Sequence, residues 1–147
     1  MRAVRLTEAH LAGAAELERL CFGEPWSENA LKLLLDDGIA VGFACLDGDT
    51  VTAYGGMMIA ADEGQVTNVA VHPAYRRQGL GRSIVEAFAS EAKRRGLVQI
   101  SLEVRASNTA AIRLYEEMGF ATAGVRRHFY RNPAEDALVM LLDCNDR

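Results

Sequence analysis

Seven residues, Arg76-Arg77-Gln78-Gly79-Leu80-Gly81-Arg82, constrain this chain more than any other stretch. They follow an apolar run from Val66 to Val71 and lead into a segment with apolar residues at helical spacing. A strand must therefore run into a helix through a turn that carries two glycines one residue apart. Glycine leaves the main chain uncovered there. Bare N–H groups at a helix start, aided by the helix dipole, make a site for an anion. Arg76, Arg77 and Arg82 add three cations to the same turn. A pyrophosphate suits this combination, given the strand before it and the helix after it.

At 147 residues the chain is long enough for its own core, and residues 1–147 read as one domain. Half of the residues are hydrophobic and 24% are charged, an ordinary globular balance. The formal net charge is −4, which argues against a nucleic-acid-binding module. An acidic surface with one basic turn implies an anionic ligand on one side and a cationic partner on the other. Cys21, Cys45 and Cys144 are odd in number and scattered, and His10, His72 and His128 are equally dispersed. Neither disulfides nor a metal site is expected, and a reducing compartment fits. No apolar run reaches membrane-spanning length, and the start of the chain lacks a signal-peptide core. A cytoplasmic protein is expected, with no membrane contact and its oligomeric state left open.

The element pattern alternates. Val4 to Leu6 reads as a short strand, followed by a helix from Thr7 to about Leu20 with Leu11, Ala14, Leu17 and Glu18 at near-helical spacing. Ser27 can cap a second helix with Leu31, Leu34 and Leu35 as its apolar stripe. Ile39–Leu46 and Val51–Ala60 form a hairpin about Asp47-Gly48-Asp49, with a bend at Gly55-Gly56. Asp62-Glu63-Gly64 turns into the strand that ends at Val71, and His72-Pro73 stops it. The helix after Gly81 buries Ile84, Val85, Phe88, Ala89 and Ala92 and ends at Gly96. Lys93-Arg94-Arg95 in its last turn reads as dipole complement and solvation. Val98–Val104 is a strand with Ile100, Leu102 and Val104 on one face and Glu103 on the other. Ser107 or Asn108 begins a helix that Gly119 ends. Phe120–Val125 and Ala137–Leu142 are the last strands, joined by a basic, aromatic loop from Arg126 to Pro133. Strands broken by helices imply an α/β layer structure.

The turn with Arg76, Gly79 and Gly81, the strand with Glu103, and Asn108 with Tyr115 together resemble the GNAT superfamily of N-acetyltransferases. Phe22-Gly23-Glu24-Pro25-Trp26-Ser27, Leu102-Glu103-Val104-Arg105-Ala106-Ser107-Asn108, Leu114-Tyr115-Glu116, Gly119-Phe120 and Glu135-Asp136-Ala137 are closer still to its bacterial ribosomal-protein-alanine acetyltransferase (RimI) family. The likeness covers nearly the whole chain. It implies a single acyl-CoA N-acyltransferase domain: a mixed, mostly antiparallel sheet of about seven strands flanked by about four helices.

The resemblance also implies acetyl-CoA as cosubstrate, with no metal, and a ribosomal protein's N-terminus as acceptor. Gln78, Gly79, Leu80, Gly81, Arg82 and Ser83, with Arg76 and Arg77, would hold the diphosphate of CoA. Val69, Ala70 and Val71 would pair with its pantetheine arm, and one N–H there would polarise the thioester carbonyl. Asn108 would bond the same arm, although as a helix cap it needs no ligand at all. Glu103 would accept the ammonium proton and Tyr115 would protonate the departing thiolate. Read by themselves, Glu103 could be a surface carboxylate and Tyr115 a core residue. Trp26 and Tyr130 could wall the acceptor slot, or Trp26 could simply pack. Three other readings stay open: a lysine or small-molecule amine as acceptor, a non-catalytic acetyl-CoA-binding subunit, and Cys21 as an acetyl-carrying nucleophile.

Overall fold

The structure is a computed structural model that describes residues 2–145. Seven strands form one sheet: β1 (Ala3–Arg5), β2 (Ala40–Asp47), β3 (Thr50–Ala60), β4 (Glu63–Val71), β5 (Gln99–Arg105), β6 (Ala121–Tyr130) and β7 (Glu135–Asp143). Their order is β1-β2-β3-β4-β5-β7-β6. Every pair is antiparallel except β4 with β5. Four α-helices join them: α1 (Leu11–Cys21), α2 (Glu28–Leu31), α3 (Leu80–Arg95) and α4 (Thr109–Glu117). The mixed, mostly antiparallel sheet with its four helices is the predicted architecture. Among the described residues no helix is long and apolar enough to cross a membrane.

The sheet is covered on both faces by different elements. α3 lies on one face, where Ile84, Val85, Phe88 and Ala92 join Val41, Met57, Ile100, Leu102 and Met140 in one buried cluster. α1 and α2 lie on the other, where Leu11, Leu17, Leu31 and Leu34 pack with Ala44, Tyr54 and Ala70. Gly55 and Gly56 admit both layers. A Cβ on Gly55 would stand 2.5 Å from Ile84 Cγ2, and one on Gly56 would stand 2.7 Å from Leu34 Cδ1. The β3–β4 register shifts between Gly56 and Met57, so the bend expected at this pair is a bulge.

Several boundaries differ from the sequence reading. A 3-10 turn, Glu8–His10, precedes α1, so the first helix is shorter at its start. β4 begins at Glu63, because Glu63 and Gly64 already pair with Ala60 and Ile59. The Arg126–Pro133 segment is mostly strand: β6 continues to Tyr130 across a register shift. Its side chains are almost all exposed, so no period-2 hydrophobic signal marks it. The basic end of α3 is a tertiary tie as well as a dipole complement. Arg94 and Arg95 both bind Glu91, and Arg95 Nη2 reaches Asp37 Oδ1 at 2.8 Å, where Arg5 also binds.

The α3 layer hangs on Phe88, which is fully buried and edge-on to Phe43 at 5.9 Å. Phe88→Ala should therefore cost about 3–5 kcal/mol of stability in denaturant unfolding. A loss below about 1 kcal/mol would place the weight of that layer elsewhere.

Candidate active site

β4 and β5 pair only at Glu63–Gln65 with Gln99–Ser101. Beyond that point they part, and β5 continues along β7 instead. The His72 N–H bonds to Thr52 O at 2.8 Å. Alternation along the antiparallel ladder then turns Val71 and Val69 away from β3 and into the seam between β4 and β5. The N–H and C=O groups of these two residues line an opening in the middle of the sheet. Ala70 does not share this role. Its main-chain groups face Tyr54 on β3, and its side chain is buried under α1.

The glycine turn stands at the end of the same strand. Pro73–Tyr75 forms a 3-10 turn, Gly79 adopts φ +77° and caps α3, and Leu80 opens the helix. The N–H groups of Gly79, Leu80, Gly81 and Arg82 have no acceptor among the described residues. They are the unpaired donors of a helix start. Arg77 holds φ +65°, a conformation that a non-glycine residue rarely adopts. Gly81 has only ordinary contacts around it, with Leu114 Cδ2 3.5 Å from a built Cβ. Packing within the chain therefore does not require glycine at 81.

The three arginines do not converge as expected. Arg82 binds Glu117 Oε1 at 2.5 Å and ties α3 to α4. Arg76 Nη2 lies 3.9 Å from Cys21 Sγ. Arg77 alone of the three has no side-chain partner among the described residues. Ser83 is also engaged, since both its N–H and its hydroxyl donate to Gly79 O at 3.1 Å. Gln78 is exposed, and Leu80 sends its side chain into the core, which leaves only its main chain for a ligand.

Across the seam, Glu103 lies on the β5 face opposite the buried Leu102 and Val104. Its side chain is 11% exposed, with Arg126 Nε 3.9 Å from Oε1. Gln65 Nε2 donates to the same oxygen at 3.3 Å, and Oε2 has no partner among the described residues. Tyr115, on α4, is buried and packs on Phe120 at 5.6 Å. Its hydroxyl has no partner among the described residues, yet no buried side-chain polar atom there is left unpaired, so the oxygen reaches solvent. Burial and the nearby Tyr130 push its phenol up to about 12.

Tyr130 joins the two. Burial, with Glu103 as the next cause, pushes its phenol up to about 12, and the same side chain bears on Tyr115. Tyr130 is thus within electrostatic reach of Glu103 and of Tyr115. Arg105 fixes Tyr130: its guanidinium stacks 4.4 Å above the ring and bonds Pro133 O, Arg131 O and Glu135. Asn108 caps α4, its carboxamide oxygen accepting from the Ala111 N–H at 3.1 Å. Its Nδ2 has no partner among the described residues.

The loop after α1 and the β6–β7 turn are in contact, since a Cβ on Gly23 would lie 2.2 Å from Asn132 O. Trp26 packs against the α1–α2 core, and its main-chain N–H is held by Glu18 at 2.8 Å. Glu18 itself is fully buried, and it also receives bonds from Tyr54 and Asn68. Sequence reasoning places Glu18 among the apolar residues of α1 without drawing the consequence. A carboxylate in an apolar stripe is the available signal. Gln65, Asn68 and Arg126 carry no such mark. Among the described residues no three His, Cys, Asp or Glu side chains gather as a metal site would require.

Comparison with known proteins agrees with this geometry. A model of the Acetyltransferase (GNAT) family matches residues 11–120. The chain is 37% identical over 139 residues to the ribosomal protein bS18-alanine N-acetyltransferase of Escherichia coli, covering 93% of each. It is 34% identical over 147 residues to the N-alpha-acetyltransferase RimI of Mycobacterium tuberculosis, covering 96% of this chain and 91% of that one. The crystal structure of the Escherichia coli ribosomal-protein-S18-alanine N-acetyltransferase superposes with a TM-score of 0.87 at 35% identity, over 97% of this chain and 92% of that one. With most of its length matched and its sheet open at the expected seam, this chain belongs to the GNAT family of acetyltransferases.

Proposed function

We propose that this protein transfers an acetyl group from acetyl-CoA to the N-terminal α-amine of a protein. The N-terminal alanine of the eighteenth small-subunit ribosomal protein is the acceptor named for its relatives. One observation carries the reading: the open seam between β4 and β5. Free main-chain donors follow β4 at the glycine turn, and β5 carries an incompletely bonded carboxylate, Glu103, with the phenol of Tyr115 on the next helix. Residues 1–147 act as one catalytic unit in this reading, in the cytoplasm where ribosomal proteins are made. The net charge of −4 suits a basic acceptor.

The residues divide the work. The N–H groups of residues 79–82 hold the diphosphate of CoA, with Arg77 as the nearest free cation. Gln78 and the Asn108 carboxamide can add donors. Val69 and Val71 pair with the pantetheine arm, and one of their N–H groups polarises the thioester carbonyl. The Oε2 of Glu103 takes the ammonium proton while Gln65 and Arg126 keep Oε1 in place. The freed amine attacks the carbonyl carbon, the carbon–sulfur bond breaks, and Tyr115 gives its proton to the sulfur. A phenol raised to about 12 keeps that proton at neutral pH. Trp26 and Tyr130 flank the acceptor, Trp26 chiefly through its packing. Cys21 is a poor nucleophile because burial pushes its thiol up and disfavours the thiolate.

An α-amine suits this apparatus better than a lysine. In water an α-amine titrates at about 7.7–8.0 and a lysine amine at about 10.4, a gap of about 2.5 units, or roughly 3.5 kcal/mol of extra work to neutralise lysine at pH 7. The base here is one carboxylate whose neighbours include an arginine.

With acetyl-CoA and an alanine-initiated peptide, mass spectrometry should find one acetyl group on the α-amine. An N-terminally blocked peptide with internal lysines should stay unmodified, and acetylation confined to its lysines would overturn the reading. Glu103→Gln and Tyr115→Phe should each lower kcat by about 10²–10⁴. The KM for acetyl-CoA should stay near its wild-type value, and unchanged kcat in both would remove the two residues from the chemistry.

The raised phenol sets a pH limit. Deprotonation abolishes an acid, and here it is half complete near 12 rather than at the ordinary value of about 10. The wild-type kcat profile should therefore show no alkaline fall between pH 9 and about 10.5. A fall centred near pH 9 would contradict the assignment of Tyr115.

A further inference from the structure

The mechanism leaves one buried ionisable group unused. Glu18 is fully buried on α1, on the acceptor side of the sheet. It has no ion-pair partner among the described residues. Three neutral donors surround it, each from a different part of the chain. The Trp26 N–H, from the loop after α1, donates to Oε1 at 2.8 Å. Tyr54, on β3, donates its hydroxyl to Oε2. Asn68, on β4, donates Nδ2 to Oε2 at 2.7 Å. Burial raises the Glu18 carboxyl against these bonds, which favour its charged form. A lone carboxylate held without a cation is costly, so a hydrophobic residue would have made a simpler core.

The position of the donors points to a use. Asn68 precedes Val69, whose main chain faces the seam. Trp26 ends the segment whose Gly23 touches Asn132 of the β6–β7 turn. Only an acceptor-only group can receive all three bonds, because a glutamine offers a single acceptor oxygen and adds two donors. Cys21 lies one turn along α1, with its thiol on Val71 O and Arg76 beside it. Glu18 thus ties the loop after α1 to β3 and to the seam strand β4, and Cys21 on the same helix meets Val71 and Arg76.

We propose that Glu18 is a positioning residue for the acceptor. Its carboxylate pins the Phe22–Trp26 segment to β3 and β4 and so fixes the height of the slot over the acceptor's first residue. The proposal deepens the α-amine reading and rests on it. It assigns discrimination at the first acceptor residue to a group that never touches the acceptor.

The test uses Glu18→Gln and Asn68→Ala in the full chain, with peptides beginning in alanine, serine or leucine. Wild-type transfer to the alanine peptide is measured first, and its absence would sink the proposed function and this proposal with it. Where the wild type transfers, Glu18→Gln should raise the KM for the alanine peptide about tenfold, the size of one lost hydrogen bond to a charged group. The kcat and the KM for acetyl-CoA should move little, and the preference for alanine over leucine should narrow. Asn68→Ala removes one donor at a half-buried site and should give the same split in smaller measure, so it carries the test if Glu18→Gln does not fold. An unchanged peptide KM in the folded variants would overturn the proposal while the α-amine reading stood. A fall in kcat alone, with the ratio of alanine to leucine preserved, would overturn it too.

Discussion

A sheet normally pairs every strand it contains, because a buried main-chain donor or acceptor without a partner is destabilising. Here β4 and β5 give up that pairing after three residues. The fold can hold them apart because each strand is secured on its outer side, β4 by β3 and β5 by β7. α3 then spans the face, its Ile84 and Phe88 set against Gly55 of β3 and its cluster reaching Ile100 and Leu102 of β5. The seam leaves main-chain groups of Val69 and Val71 without a strand partner. Strand addition by an extended ligand is the way such an opening is filled in the proposed function.

After β4 ends at Val71, the main chain turns through Gly79 into α3, whose first N–H groups have no acceptor among the described residues. Glu103 and Tyr115 come from consecutive elements, β5 and α4, so a single crossover delivers both residues to which the proposed function gives proton transfer. Tyr130 comes from β6, the edge strand, which pairs with β7 while β7 pairs with β5. Arg105 and Glu135 then lock that hairpin down, and Glu135 also takes the Ser107 N–H at 2.6 Å, just before the α4 cap.

Much of this was legible in the order of residues. The glycine turn into α3, the Asp47-Gly48-Asp49 hairpin, the Gly96 stop and the alternation of Ile100, Leu102 and Val104 all follow from local rules of backbone freedom and burial. The extension of β6 was not legible, since a strand exposed on both faces has no hydrophobic period to display. The fates of Arg76 and Arg82 were hidden as well. Their partners, Cys21 and Glu117, lie 55 and 35 residues away. The exclusion of Ala70 from the seam needed the strand register, because a one-residue shift exchanges which main-chain groups face outward.

The linear chain, then, determined where most of its strands, helices and turns would form and which turn would open α3 through paired glycines. Those properties depend on the residues themselves and on neighbours a few positions away. The tertiary structure alone decided that β4 and β5 part, that Arg105 stacks on Tyr130, and that a carboxylate in α1 holds together a loop and two strands. Each of those depends on groups that meet only when distant segments pack. No local propensity records such a meeting.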